Sequence, residues 1–98
     1  VTRQLTIESF AYSERFKSEF QKLKPDVQTA VREALETLKS NPEAKVLRLH
    51  PLTGLSKPMV WKIDVFANHS WQVTFELNDK TAELKRVATH KSIDRSPR

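Results

Sequence analysis

Two stretches of this chain alternate strictly between apolar and polar residues. Met59, Trp61, Ile63 and Val65 mark one; Trp71, Val73, Phe75 and Leu77 mark the other. Successive side chains on a strand point to opposite faces, so each stretch predicts a strand with one apolar face. Ala67-Asn68-His69-Ser70 connects them, and Asn78-Asp79-Lys80-Thr81 forms the next turn. A third strand, less regular and open to a bulge, is predicted from Leu84 to Thr89. These strands form an antiparallel meander, and its apolar face needs a covering layer.

The first half of the chain supplies that layer. Phe16, Phe20 and Leu23 fall at i, i+4, i+7, one face of a helix, with Ser13 as its N-cap and Glu14 at its positive end. Pro25 and Asp26 open a second helix. Val27, Val31, Leu35 and Leu38 form its stripe, widened by Ala30 and Ala34, and Asn41-Pro42 ends it. The short connection through Lys24-Pro25 makes the two helices antiparallel neighbours. Before them, Leu5 and Ile7 alternate with polar residues and read as a short strand. Residues 43–58 hold Pro51, Gly54 and Pro58 with little periodicity and read as a loop. The expected order is β-α-α-β-β-β, an α+β fold with a small antiparallel sheet packed on two helices. The 98 residues make one domain, 1–98, with one modest core.

Composition narrows the chemistry. No cysteine means no disulfide scaffold, thiolate metal site or cysteine nucleophile. A single glycine leaves no room for a dinucleotide-binding or P-loop motif. No run approaches the roughly eighteen apolar residues that span a bilayer. The opening VTRQLTIESF is polar and strand-like, so the expected compartment is the cytoplasm. The formal net charge is +5, which favours an acidic partner. Residues 1–42 carry 7 basic and 6 acidic side chains, whereas residues 43–98 carry 10 and 6. The excess therefore lies in the second part of the chain.

There it gathers around the polar sheet face. The first meander strand shows Lys62 and Asp64, and the second shows Gln72, Thr74 and Glu76. The preceding loop brings Lys45, Arg48, His50 and Lys57. The last strand and tail bring Arg86, His90, Lys91 and Arg95. The three histidines stand 19 and 21 residues apart, so no helical metal-ligand pair exists and no metal or other cofactor is expected. A basic surface with histidines suits phosphate chemistry. In RNA cleavage a base takes the 2′-hydroxyl proton, an acid protonates the departing 5′-oxygen, and cations stabilise the charge on phosphorus. Histidine serves either proton role near neutral pH. A charged sheet face is also what simple solvation produces.

Three segments resemble the RelE/ParE superfamily of bacterial toxins from type II toxin–antitoxin modules, most nearly its YafQ- and HigB-like branches. They are LKPDVQTAVREALETLKSNP in the helical part, the His-Pro-Leu-x-Gly core of LRLHPLTG, and the run from WQVTFELNDK to LKRVATHKSI. The resemblance extends from the first strand to about Ile93. It implies ribosome-dependent mRNA cleavage, inhibition of translation, and restraint by a bound antitoxin. It further implies catalytic roles for His90, at the end of the last strand, and for His50, in the loop before the meander. Asp64 and His69 match a further catalytic aspartate and histidine of the YafQ-like branch only out of register. RelE- and HigB-like toxins place an arginine after the aromatic that opens the middle meander strand. Here the pair is Trp71-Gln72. Gln72 cannot form a bidentate guanidinium–phosphate pair, so that role is absent or passes to Arg48, Lys57 or Arg86.

Each residue also has a plainer reading. His50 is equally a loop residue packed before Pro51, and His69 is better read as a hairpin tip. Arg48, Lys57 and Arg86 are expected to contact phosphate for positioning, as are the RNA-binding candidates Lys45, Lys62, Lys91 and Arg95. Trp61 and Trp71 lie on the apolar face and are expected in the core. The leading expectation is thus a metal-independent endoribonuclease with His90 as general acid, acting with the ribosome and mRNA and held by an antitoxin. The alternatives are a ParE-like inhibitor of DNA gyrase and a non-catalytic RNA- or protein-binding member of the same fold.

Overall fold

The computed structural model describes residues 6–42, 44–56, 59–66 and 70–95. Its elements run β1 (Ser9–Tyr12), α1 (Glu14–Gln21), α2 (Pro25–Ser40), a 3-10 turn (Lys45–Leu47), β2 (His50–Ser56), β3 (Met59–Asp64), β4 (Trp71–Asn78), β5 (Thr81–Thr89) and α3 (His90–Arg95). The strands form one five-stranded sheet in the order β1-β5-β4-β3-β2. β1 pairs with β5 in parallel, and the other pairs are antiparallel. The α+β architecture expected from the alternation and the two helical stripes is the one observed.

The two helices form for local reasons. Ser13 Oγ accepts the Phe16 N–H at 3.0 Å and caps α1. Pro25 sits in the first turn of α2, and Asn41 follows its last residue, so Asn41-Pro42 closes it. α2 buries Val27, Val31, Ala34, Leu35 and Leu38, the predicted stripe. These residues meet Ile63, Val73, Phe75, Leu84 and Val87 from the sheet in one continuous core. Trp61 and Trp71 pack partly buried against it, as their alternation implied. Leu38 is fully buried at the centre. Leu38→Ala is expected to lower stability by about 3 kcal/mol, read as a lower urea midpoint at unchanged slope. A midpoint equal to that of the parent chain would contradict this placement.

Four features depart from the local reading. The first strand lies at Ser9–Tyr12, after the Leu5–Ile7 alternation; Leu5 is outside the described residues. Ile7 is buried, so its pattern signals burial, while pairing begins where Ser9 meets Thr81. Part of the expected loop 43–58 is β2. This strand sits at the sheet edge, contains Pro51, and shifts register between Pro51 and Ser56. An edge strand tolerates proline and needs no alternation. β5 begins at Thr81, three residues before the expected Leu84, and a register shift between Thr74 and Phe75 gives the anticipated bulge. Finally, Thr89-His90 is a strand-to-helix junction. Thr89 Oγ1 accepts the Ser92 N–H at 3.4 Å, which caps α3.

That last helix changes the second face of the sheet. α3 folds back against β4 and β5. Val60, Ala88 and Ile93 are buried outside the main core. Val60 and Ala88 share a face with the polar residues Lys62, Asp64 and Gln72, because their alternation and cross-strand pairing are the same. The face opposite α1 and α2 is therefore half covered.

Candidate functional site

Register aligns the polar residues into rows. His50 pairs with Lys62, Lys62 with Thr74, and Thr74 with Arg86, so one row crosses four strands. The next row is Asp64, Gln72 and Ala88. Directly paired residues point to the same face, which makes each row a strip of neighbouring side chains. Lys62, Asp64, Gln72, Thr74 and Arg86 are all buried. Five polar residues out of water on one face require mutual satisfaction.

One end of these rows forms a corner. Gln72 Nε2 donates to Asp64 Oδ1 at 2.9 Å. Arg48 Nε lies 3.6 Å from Asp64 Oδ2, with the arginine more than half exposed and the aspartate 3% exposed. Arg48 adopts a left-handed backbone, with φ 49°. That conformation is uncommon outside glycine, and here it ends the 3-10 turn and starts the chain into β2. His50 Nδ1 donates to the Arg48 carbonyl oxygen at 2.6 Å. A carbonyl only accepts, so Nδ1 carries a proton, and in the neutral ring Nε2 is left with its lone pair. That is the form a general base requires. Gln72 Oε1 is buried and has no hydrogen-bond partner among the described residues.

The other end is the β5–α3 junction. The His90 N–H donates to the Ser70 carbonyl at 3.3 Å, the end of the β4–β5 pairing. The ring is half exposed, and its Nε2 lies 3.3 Å from Asp94 Oδ2, one helical turn on. A carboxylate only accepts, so this contact favours a proton on Nε2. Between strand and helix sits Arg86, whose side chain is 5% exposed. Its Nε donates to Glu19 Oε1 and Oε2 at 3.2 and 3.0 Å, and its second terminal nitrogen also meets Oε2. It also donates to the Ser92 carbonyl at 3.0 Å and meets the Ser92 hydroxyl at 2.9 Å. The Val87 N–H adds a bond to Glu19 Oε1 at 3.2 Å. α1, β5 and α3 are thus tied at one point.

The predicted residues therefore divide. Arg48, His50 and Asp64 come together, with Gln72 as a fourth member. His90 stands apart: β2 and β5 are three strand spacings from each other, about 14 Å between backbones. Arg86 was expected at a phosphate, but its guanidinium is buried in the tie to Glu19 and Ser92. Lys62 was expected at RNA, yet it is 7% exposed, within the row between His50 and Thr74. Lys45 is exposed on the 3-10 turn, and Lys91 and Arg95 are exposed on α3. Lys57 and His69 lie outside the described residues. Glu19, Ser92 and Asp94 carry no local signal, because each acquires its role from another element or from a helix too short to show periodicity. Among the described residues no three of His, Asp and Glu gather closely enough to hold a metal ion.

No protein-family model matches this chain, and no curated protein matches it. Solved structures do. The E. coli DinJ–YafQ toxin–antitoxin complex matches with a TM-score of 0.70 at 19% identity, over 91% of this chain and 98% of that one. The RelB–RelE antitoxin–toxin complex from Methanococcus jannaschii matches at 0.65 and 16% identity, over 87% and 95%. A YoeB/ParE toxin from Agrobacterium tumefaciens matches at 0.68 and 12% identity, over 85% and 99%. The architecture is one shared with small α+β toxins of known structure. In particular the chain has the fold of the RelE/ParE toxin superfamily, with YafQ among the proteins it is similar to. No helix among the described residues is long and apolar enough to cross a membrane.

Proposed function

We propose that this chain is the toxin of a toxin–antitoxin module and a ribosome-dependent mRNA endoribonuclease. The toxins whose fold it shares include ones solved with their antitoxins. The observation that carries the catalytic reading is His90, half exposed at the β5–α3 junction with its Nε2 facing Asp94. In this reading the 2′-oxygen attacks phosphorus and the P–O5′ bond breaks. His90 gives its proton to the departing 5′-oxygen while the 2′-hydroxyl proton passes to solvent water, leaving a 2′,3′-cyclic phosphate and a 5′-hydroxyl. His50 Nε2, left with its lone pair, is an acceptor for the strand beside that phosphate. Arg48, held by Asp64, offers a guanidinium in the corner where Gln72 stands in place of an arginine.

In this proposal the separation of the two histidines leaves the isolated protein without a base paired to His90 at one phosphate. A single phosphate in a relaxed strand does not meet groups on β2 and at the end of β5 together. The ribosome holds mRNA bent and fixed, which removes the orientational cost the isolated protein would face. His90 then acts at the scissile phosphate, and Arg48 and His50 engage the strand beside it. Lys45, Lys91 and Arg95 add salt-sensitive contacts to RNA. The partners are an antitoxin, the ribosome and mRNA, in the bacterial cytoplasm, with no cofactor in the chemistry.

The test is translation of a defined mRNA with the purified chain, followed by primer extension. New 5′ ends on ribosome-bound message and none on free message are expected. Intact message at toxin excess would overturn the reading. Supercoiling by DNA gyrase is expected to be unaffected at the same excess, and inhibition there would favour a ParE-like role instead.

A further inference from the structure

The charge excess lies in the second part of the chain, yet two first-half lysines border a groove that passes the β5–α3 junction. Lys22 follows α1 and Lys24 precedes α2; both are exposed, and neither has an ion-pair partner among the described residues. They border a cavity of about 520 Å³ whose opposite wall is Phe66, Ser70 and Trp71. Across Lys22, Leu23 and Trp71 this cavity joins a second, of about 350 Å³, which runs along Val87, Ala88 and Thr89 to Ser92. Ser70 lies in the first and also accepts the His90 N–H, while Thr89 in the second directly precedes His90. The groove thus passes the junction that holds His90.

Its chemistry is one-sided. Glu19 lines it but is occupied by Arg86. Asp26 is the other acidic residue of the lining, against Lys22 and Lys24. The partly buried Trp71 supplies apolar surface where the two cavities meet. Ammonium groups over an apolar floor suit a single-stranded nucleic acid, with phosphates on the lysines and base faces on the floor.

We infer that the groove from Lys24 to Ser92 is a second RNA track, in which Lys22 and Lys24 bind phosphates flanking the nucleotide at His90. This rests on the proposal that the chain acts on RNA, but it concerns binding and can be tested without cleavage. The probe is a fluorescent oligouridine of about a dozen nucleotides, titrated against the full chain at several salt concentrations. The double variant Lys22→Gln/Lys24→Gln is expected to bind more weakly, with a slope of log affinity against log salt smaller by about 1.4, or about 0.7 per lost contact. Lys39→Gln, on an exposed part of α2, serves as the control and is expected to match the parent chain. On ribosomes the double variant is expected to raise KM with kcat unchanged when mRNA is the strand bound. Weaker binding to empty ribosomes would instead identify ribosomal RNA on the same track. An unchanged slope and affinity would overturn the inference, even if the parent chain cleaves mRNA. A double variant that loses antitoxin binding while keeping the parent RNA slope would also overturn it, making the groove a protein interface. A parent chain that cleaves nothing, with the slope still dependent on both lysines, would leave the track standing and remove the nuclease.

Discussion

His90→Ala is expected to cut ribosome-dependent cleavage by about 10²–10⁴-fold with the fold intact. The range is what a positioned general acid contributes to a proton-transfer step. The ring is half exposed, so removing it leaves no cavity in the core and no buried partner unsatisfied. Its pairing with Asp94 is exposed on both sides, and such contacts add little to stability. Activity and stability should therefore separate at this residue. Single-turnover cleavage of a programmed ribosome gives the first, and urea unfolding gives the second. His50→Ala should also lower the rate, by an amount that tells whether its free Nε2 takes a proton or only lines the strand. Equal cleavage by His90→Ala and the parent would remove the acid role altogether.

Arg86→Ala should behave in the opposite way and act first on stability. Its guanidinium is 5% exposed and joins Glu19 of α1 to Ser92 of α3. Removing it leaves the Glu19 carboxylate, one-fifth exposed, with only the half-exposed Arg15 at 4.0 Å as a cation. Breaking one side of a buried pair costs about 3 kcal/mol. For a domain of this size that amounts to a fall in Tm of roughly 12–24 °C. Thermal unfolding followed by circular dichroism reads it directly. Arg86→Lys keeps the charge but loses the planar fork, so it should recover only part of the loss. A cycle with Glu19→Ala isolates the pair itself, and coupling near zero would contradict the tie. α3 has six residues and is too short to be helical by itself. This contact, together with the buried Ile93, holds the helix, and with it His90, to the sheet.

These two residues show why site reading from sequence goes only part of the way. Both stand in one short run, Arg86 to His90, and both are side chains that suit phosphate chemistry. Nothing within the run separates a surface histidine from a buried arginine. The difference arises from Glu19, 67 positions earlier, which reaches Arg86 and leaves His90 alone. Asp64 and Gln72 are similar. Their facing positions follow from alternation, but their bond depends on the register of β3 against β4. Arg48 comes close to Asp64 through a left-handed residue that no propensity marks at an arginine.

The helices and the meander were available from local pattern because each expresses its own burial. The Val27–Leu38 stripe, the Ser13 cap and the alternation through Trp71 need no knowledge of a partner to be recognised. β2 and α3 had no such signature. An edge strand with Pro51 and a six-residue helix form because a neighbour supplies their hydrogen bonds or contacts, which a window along the chain cannot contain. The two halves of the charge count show the same limit. Summed along the sequence, the cationic excess lies in residues 43–98. In space Arg86 and Lys62 are withdrawn into the fold, and Lys22 and Lys24 border the groove that passes the β5–α3 junction. Amphipathic period is a property of neighbours in sequence and specifies the layers. Which charges face a ligand depends on packing between distant segments, and only the folded chain brings those together.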